Sequence, residues 1–441
     1  MGVAFSGGGM RAYSAFIGYL RGLGAERFER GCSLVSTVSG GSWFYGTYAY
    51  ARSAGFSHPE LLAPPQAGPS FSPAMAARAS DARFLERALQ VLSHENSARK
   101  LPLAWNAIIG AIFLEPYGID ARARLPAFTL PLPQWVCNAS VIHMPLLRSG
   151  IVPTLQMSPD AVSAPGLMRG SVPSAAVRAC SSAPGVSIRD AMGLSSLAGG
   201  GKLVQGMAYV FAHGLPGEVA EKHDAHVRSL ADSLLPVVAL PSLPTMLVCD
   251  GALTDNTGIV TLLSRGARKV LAFLATRARF PAAGRAAACN MQDVHALFGS
   301  LAAPAPAALD GIAASGNTVQ VFEAAALPRV QAQLQARAAE GGPVWFRGKL
   351  RVLPNPRYGV RGGYDVELCL VVLASSAAYL AERAQRGLPP PPPGFPYYST
   401  LFHNSDDMIG LTPEQVEHMT QFTAWCMRWP ALQPALNAVF K

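Results

Sequence analysis

The sequence predicts an α/β fold, a three-layer sandwich with a largely parallel central sheet covered by helices on both faces. Three observations predict it. Runs of strand character begin at Gly2, Leu34, Trp135, Thr154, Thr245, Val270, Val319, Val344 and Val366, each about four to nine residues long. Helical patterns lie between many of them, the alternation that parallel strands with crossover helices require. Two of the earliest strand runs also end in glycine-rich turns that open straight into amphipathic stretches, so each reads as a strand, tight turn, helix unit.

Composition sets the bounds. The chain has 441 residues, and a hydrophobic content of 50% is ample for a sizeable core. The formal charge of +9 comes from arginine spread along the chain, not from basic blocks. That implies attraction to an anionic surface such as a membrane. No motif for reading bases is present, so a nucleic-acid partner is not expected. Seven scattered cysteines, Cys32, Cys137, Cys180, Cys249, Cys289, Cys369 and Cys426, lack paired C-x-x-C spacing. This argues against a zinc site or a disulfide scaffold and for a reducing, cytoplasmic setting. No secretory signal precedes the first glycine turn.

The first strand, from Gly2, runs into Ser6-Gly7-Gly8-Gly9-Met10-Arg11-Ala12, where glycines let backbone N–H groups face an anion at a helix N-terminus. Met1-Gly2 with Ser6 fits a myristoylation pattern, but a strand beginning at Gly2 leaves no free arm for an acyl chain. Gly7-x-Gly9-x-x-Ala12 also fits a dinucleotide fingerprint, yet the second strand ends in a serine where that reading needs a carboxylate. That second strand, from Leu34, leads to Ser36-Thr37-Val38-Ser39-Gly40-Gly41-Ser42-Trp43. Such a turn lifts Ser39 out of its strand with the hydroxyl exposed.

Residues 57–73 are rich in proline, serine and glycine, and residues 54–125 form a candidate cap insertion. Within it residues 101–114, LPLAWNAIIGAIFL, are interrupted by Pro102 and Asn106 and are shorter than the ~20 residues of a spanning helix. They suit a buried core helix or an interfacial lid. Asn138-Ala139-Ser140 fits a glycosylation acceptor but lies inside a strand-like run. His223-Asp224-Ala225-His226 is the close histidine pair of the nine histidines; no third ligand is indicated, and no metal is expected. Residues 302–308 form an Ala-Pro run, and residues 388–396, with Pro389 to Pro393, read as a stiff exposed linker. A final helix over residues 412–428 starts at Thr412-Pro413-Glu414-Gln415, with the threonine as cap and proline first in the helix.

The glycine turn and the Ser39 turn together resemble the cytosolic phospholipase A2 and patatin-like acyl hydrolases, including lysophospholipase catalytic domains. The resemblance extends to Leu247-Val248-Cys249-Asp250-Gly251-Ala252, an apolar strand ending where that family places its dyad aspartate. Ser195-Ser196-Leu197-Ala198 is similar to a further family segment. The resemblance implies a single catalytic domain over residues 1–441. It makes Ser39 the nucleophile, Asp250 its base, Gly8 and Gly9 the oxyanion donors, and Arg11 the cation that meets substrate phosphate. It implies no cofactor, and calcium-driven recruitment is not expected.

Thr37 departs from the family pattern, which has glycine two residues before the serine; a β-branched residue there crowds a tight turn. Ser36 and Ser42 are the fallback nucleophiles. The function implied is release of fatty acid from phospholipid or lysophospholipid through an acyl-enzyme, at the membrane surface. Two alternatives are transfer of the acyl group to another lipid or alcohol, and a catalytically inactive lipid-binding protein of the same fold.

Overall fold

The computed structural model describes residues 1–64, 74–80, 101–142, 151–179, 185–197, 237–241, 245–276, 291–300, 319–398 and 410–441. Among these residues, strands β1 (Gly2–Phe5), β2 (Leu34–Val38), β3 (Gln134–Ile142), β4 (Thr154–Met157), β5 (Ala161–Ser163) and β6 (Val172–Pro173) are followed by six more. These are β7 (Arg178–Ala179), β8 (Val237–Ala239), β9 (Met246–Asp250), β10 (Lys269–Leu274), β11 (Val344–Val352) and β12 (Tyr364–Val372). All belong to one sheet.

Its centre is parallel, in the order β12-β10-β1-β2-β3, and antiparallel strands extend both sides. β1 is therefore central, paired with β10 through Gly2↔Val270 and with β2 through Gly2↔Leu34. A strand hydrogen-bonded on both edges and covered on both faces must be apolar throughout, and all four residues of β1 are buried. Val3 and Phe5 enter one core cluster and Ala4 the other. The sheet thus divides two hydrophobic layers, as expected of the sandwich. Phe5 packs against Phe16, Phe44 and Phe273 with ring centroids 5.0, 5.0 and 5.4 Å apart.

The helices that bear on the site are α1 (Gly9–Leu23), α2 (Gly40–Ser53), α3 (Leu101–Phe113), α4 (Ile188–Leu194), α5 (Ile259–Ser264), α6 (Ala377–Gln385), α7 (Pro413–Met427) and α8 (Gln433–Phe440). α1 and α7 lie side by side. α7 begins as its sequence reads: the Thr412 hydroxyl accepts from Gln415 N and the Gln415 amide oxygen accepts from Thr412 N. The helix after it, α8, corrects the expectation that α7 is the last.

Residues 319–322 are not a strand. They bury Val319, Val321 and Phe322 but make one bridge, Phe322 to Val352, because the segment crosses the end of β11 instead of running along it. β5 to β8 are two or three residues long, too short to leave a period in the sequence.

α3 is a core helix at its second half, where Ile108, Ile109, Ile112 and Phe113 are buried. Leu61, Leu62, Met75 and Ala76 join the same cluster, so the described parts of the candidate cap pack on the main body. Its residues 65–73 and 81–100 lie outside the described residues, as do the Ala-Pro run, Cys180, Cys289 and the His223 pair. The five described cysteines are buried thiols. In the proline-rich run Pro389, Pro390 and Pro393 are exposed, Pro391 and Pro392 half-buried and Pro396 buried. Among the described residues, no helix is long and apolar enough to cross a membrane.

The α1–α7 contact depends on Gly18. A Cβ there would run into the Thr420 carbonyl oxygen and Thr423 Oγ1 of α7. Alanine in place of glycine within a helix ordinarily gains about 1 kcal/mol. Here the obstacle is backbone, which cannot swing away, and overpacking of about 1–3 kcal/mol wins. Gly18→Ala is expected to lower the urea midpoint, with a net loss of up to about 2 kcal/mol; a higher midpoint would refute the close approach.

Candidate active site

β2 and β9 share one edge of β3 but run in opposite directions. β2 is parallel to β3 and ends with Val38 opposite Asn138; β9 is antiparallel and ends with Asp250 opposite Ala139. The carboxyl ends of two strands therefore meet head to head at adjacent positions of a third. Ser39 leaves the end of β2 and Asp250 closes β9. Their side chains meet, with Ser39 Oγ donating to Asp250 Oδ2 at 3.0 Å.

Ser39 is the one non-glycine residue with positive φ among the described residues, at φ 50° and ψ −121°. Such a conformation costs about 1–3 kcal/mol and needs support from its surroundings. Ser39 is also the N-cap of α2, yet its hydroxyl caps nothing and is left to the carboxylate. Gly40 allows the turn to sit against the first glycine turn. A Cβ at Gly40 would collide with the Gly9 carbonyl oxygen and stand 2.7 Å from Gly9 N.

The first turn joins β1 to α1. Gly8 has φ 142°, closed to residues with a side chain, and no side chain caps the helix it starts. The first N–H groups of a helix have no acceptor inside it, so those of Gly8 and Gly9 are available beside the Ser39 turn. Gly7 N–H is occupied by the Asn256 carbonyl at 3.1 Å. A Cβ on Gly7 would lie 3.2 Å from Ser39 Cβ, which fixes how closely the two turns approach.

Asp250 is 6% exposed and Ser39 is 4% exposed. Asp250 Oδ1 accepts from Ala252 N at 2.8 Å, so each carboxylate oxygen holds one hydrogen bond. Burial pushes this carboxyl up to about 6, and the Ala252 and Ser39 hydrogen bonds offset part of that rise. An acid titrating there is matched to proton transfer near neutral pH. No histidine is hydrogen-bonded to Ser39 or Asp250 among the described residues.

A relay of hydroxyls holds the Ser39 backbone. Ser39 N–H donates to Ser195 Oγ at 2.9 Å, and Ser195 Oγ donates to the Asn138 carbonyl at 2.6 Å. With that single proton spent, the 2.8 Å contact of Ser42 Oγ with Ser195 Oγ must have Ser42 as donor. The Thr37–Ser42 contact of 2.9 Å is then donated by Thr37, which in turn accepts from Trp135 Nε1 at 2.8 Å. Ser195 O also accepts from Gly251 N at 3.1 Å, so one residue braces both turns.

The resemblance found in the sequence has a counterpart in three dimensions. No protein-family model and no curated protein matches this chain. Among solved structures, human GIVD cytosolic phospholipase A2 aligns with a TM-score of 0.52 at 13% identity, over 100% of this chain and 62% of that one. The same human protein in complex with methyl γ-linolenyl fluorophosphonate and terbium chloride aligns with a TM-score of 0.47 at 13% identity, over 100% and 59%. The fold is that of a cytosolic phospholipase A2. This chain spans about three fifths of the human chain's length.

On this phospholipase A2 fold the sequence-predicted residues fall as follows. Ser39, Asp250, Gly8 and Gly9 converge at the strand ends. Thr37 lies within β2, before the turn, and its hydroxyl takes part in the relay, so it does not crowd the elbow. Ser36 and Ser42 are fully buried; Ser36 Oγ accepts from Asn138 Nδ2 at 2.9 Å and neither hydroxyl is bonded to a carboxylate. Arg11 is fully buried behind the glycine turn, with Nε donating to the Ala275 carbonyl at 2.8 Å and Nη1 to the Tyr398 carbonyl at 3.5 Å.

Sequence reasoning did not assign roles to Ser195, Asn138 or Asp255. Asn138 Nδ2 donates to the Thr37 carbonyl and its Oδ1 accepts from Thr261 Oγ1, tying β2, β3 and α5 together. Asp255 accepts from Thr257 N and Val260 N, each at 2.9 Å, and so secures the loop between Asp250 and α5. Of these, Ser195 alone carried a signal, through its place in the family-like segment.

Removing the Ser195 hydroxyl leaves the Ser39 N–H and Ser42 hydroxyl buried without their partner, a cost of about 1–3 kcal/mol. Ser195→Ala is expected to lower stability by that amount in urea denaturation. A wild-type midpoint would show that the relay does not support the elbow.

Proposed function

We propose that this chain is a serine-dependent lipid acyl hydrolase that releases fatty acid from phospholipids or lysophospholipids. The observation that carries the reading is the 3.0 Å hydrogen bond between Ser39 and Asp250 at the meeting of two strand ends, beside an uncapped helix N-terminus. A serine hydroxyl is a weak nucleophile until a base takes its proton. Asp250 is that base.

As Ser39 Oγ attacks the ester carbonyl carbon, its proton passes to Asp250 and the carbonyl oxygen becomes an oxyanion. The Gly8 and Gly9 N–H groups stabilise that charge, each worth about 3 kcal/mol in such a role. Collapse breaks the bond to the lysolipid or glycerol oxygen, which leaves with the proton from Asp250. Water then attacks the Ser39 ester, giving its proton to Asp250, and the fatty acid departs as Ser39 regains a proton.

Arg11 adds positive potential behind the oxyanion turn. Because the side chain is fully buried, its role in meeting substrate phosphate requires the guanidinium to move from the Tyr398 carbonyl into the site. Trp105 donates to Ser196 Oγ at 3.2 Å and lies 6.2 Å from the Trp43 ring, which makes α3 the candidate wall of an acyl channel. The net charge of +9 supports working at a peripheral anionic membrane surface.

Two measurements test the reading. A fluorescent fluorophosphonate is expected to label the wild-type chain, to fail with Ser39→Ala and to label Asp250→Ala weakly. A folded wild-type sample that stays unlabelled with lipid vesicles present would favour the inactive lipid-binding reading.

The second measurement is a pH profile. Asp250 accepts a proton only as the carboxylate, so kcat/KM should climb as pH rises through about 6 and level off above it. An acid limb near 4, the value of an unperturbed aspartate, would show that burial does not set the base.

A further inference from the structure

At the far end of α1 from the glycine turn lies a cavity of about 300 Å³. Twelve residues of helix separate Gly9 from Arg21, about 18 Å along the axis. The cavity is walled by α1, α6 and α7, and four arginines line it: Arg21, Arg383, Arg386 and Arg428. Glu382 is the one acidic residue of the lining, and it is committed to Trp425 Nε1 at 2.7 Å and Arg386 at 2.6 Å.

Arginines near helix C-termini complement the helix dipole, and exposed ones need no further reason. Arg383 is buried and Arg21 is half-buried. Arg383 is 7% exposed and sends Nη1 to Gln421 Oε1 at 3.1 Å and Nη2 to the Pro389 carbonyl at 2.8 Å, yet its buried Nε has no partner among the described residues. Arg21 donates from Nη2 to the Thr420 carbonyl at 2.9 Å, while its buried Nη1 is likewise unpartnered. A buried donor left unpaired on a charged group is costly, more so than one on a neutral group. Arg428 and Arg21 repel each other, and Arg383 depresses the proton affinity of His418. Glu382 offsets one of the four arginines, and the lining keeps an excess of positive charge.

We infer that this arginine pocket is a binding site for a phosphomonoester, distinct from the Ser39 site. Several guanidinium forks converging on one small volume suit a tetrahedral dianion better than a single carboxylate, because more oxygens accept at once. The volume holds a phosphate and a small polyol. Trp425 and Tyr379 supply aromatic wall on which the remainder of the ligand rests. Among the described residues, Leu388 at the rim and Leu380 on α6 are two of three exposed large hydrophobic side chains. Apolar residues beside a basic pocket are the arrangement that meets a phosphorylated lipid headgroup at a membrane surface. A soluble phosphomonoester presents the same chemistry.

The test uses the full chain with two probes, glycerol 3-phosphate and phosphatidylcholine vesicles with or without phosphatidic acid. Arg386→Gln with Arg428→Gln neutralises the exposed rim without touching the core. Arg357→Gln with Arg361→Gln removes the same charge from an exposed loop elsewhere and serves as control. Saturable binding of glycerol 3-phosphate, weakened about tenfold or more by the rim pair but not by the control pair, is expected. The same pattern seen only with phosphatidic acid vesicles would support the site with a lipid headgroup as its source. Binding of neither probe, equal weakening by both pairs, or no weakening by the rim pair would overturn it. Fluorophosphonate labelling of the rim pair at the wild-type rate separates this outcome from failure of the proposed hydrolase.

Discussion

The candidate site depends on the polarity of two strands against a third. β3 is long enough to carry β2 on the first part of one edge and β9 on the rest, and because β9 runs antiparallel its last residue meets the last residue of β2. Had β9 run parallel, its carboxyl end would lie beyond Ile142, the length of the strand away from Ser39. Parallel sheets place their reactive turns at one end of the sheet. Here an antiparallel strand brings a carboxylate to that end from the opposite direction. No long loop has to deliver that carboxylate.

The junction is expensive, and the surrounding residues hold it. Ser39 adopts a conformation that few side chains tolerate, its carboxylate partner is buried, and two backbone turns approach too closely for any residue but glycine at position 40. The relay from Trp135 through Thr37, Ser42 and Ser195 ends on the Asn138 carbonyl, and Ser195 Oγ also accepts from the Ser39 N–H, so it fixes the elbow from behind. Asn138 locks the same strands from the side. Burial that raises the proton affinity of Asp250 also removes water that would otherwise compete for the Ser39 hydroxyl. The strain and the base strength thus come from one packing arrangement.

What was legible in the sequence was local. Glycine turns following apolar runs give away β1, β2 and the helices they open, because turn chemistry and strand composition act within a few residues. Asp250 at a strand end was reached through a family resemblance and not through spacing. The relay was illegible for a physical reason: Ser195 lies 156 residues from Ser39, and an isolated serine carries no pattern. Thr37 is instructive. Viewed as part of a tight turn it is a misfit, but in the fold it belongs to the strand, and its hydroxyl does what a glycine could not. The direction of β9 was equally hidden, since an apolar pentapeptide reads the same in a parallel or an antiparallel sheet.

α1 connects these observations electrostatically. Its first turn holds no acidic residue and no side-chain cap, so the helix itself leaves the positive end of its dipole open where the glycine N–H groups emerge. Its last turn holds Arg21, which reverses the negative end. A helix that is positive at both ends attracts anions at both ends. It is buried along most of its length and clasped to α7 through Gly18, so the two ends are fixed relative to one another by close backbone contact. An acidic residue in the first turn would weaken the field on a developing oxyanion, and one in the last turn would quench the arginine pocket. Neither turn of α1 holds one, as the two proposed anion sites require.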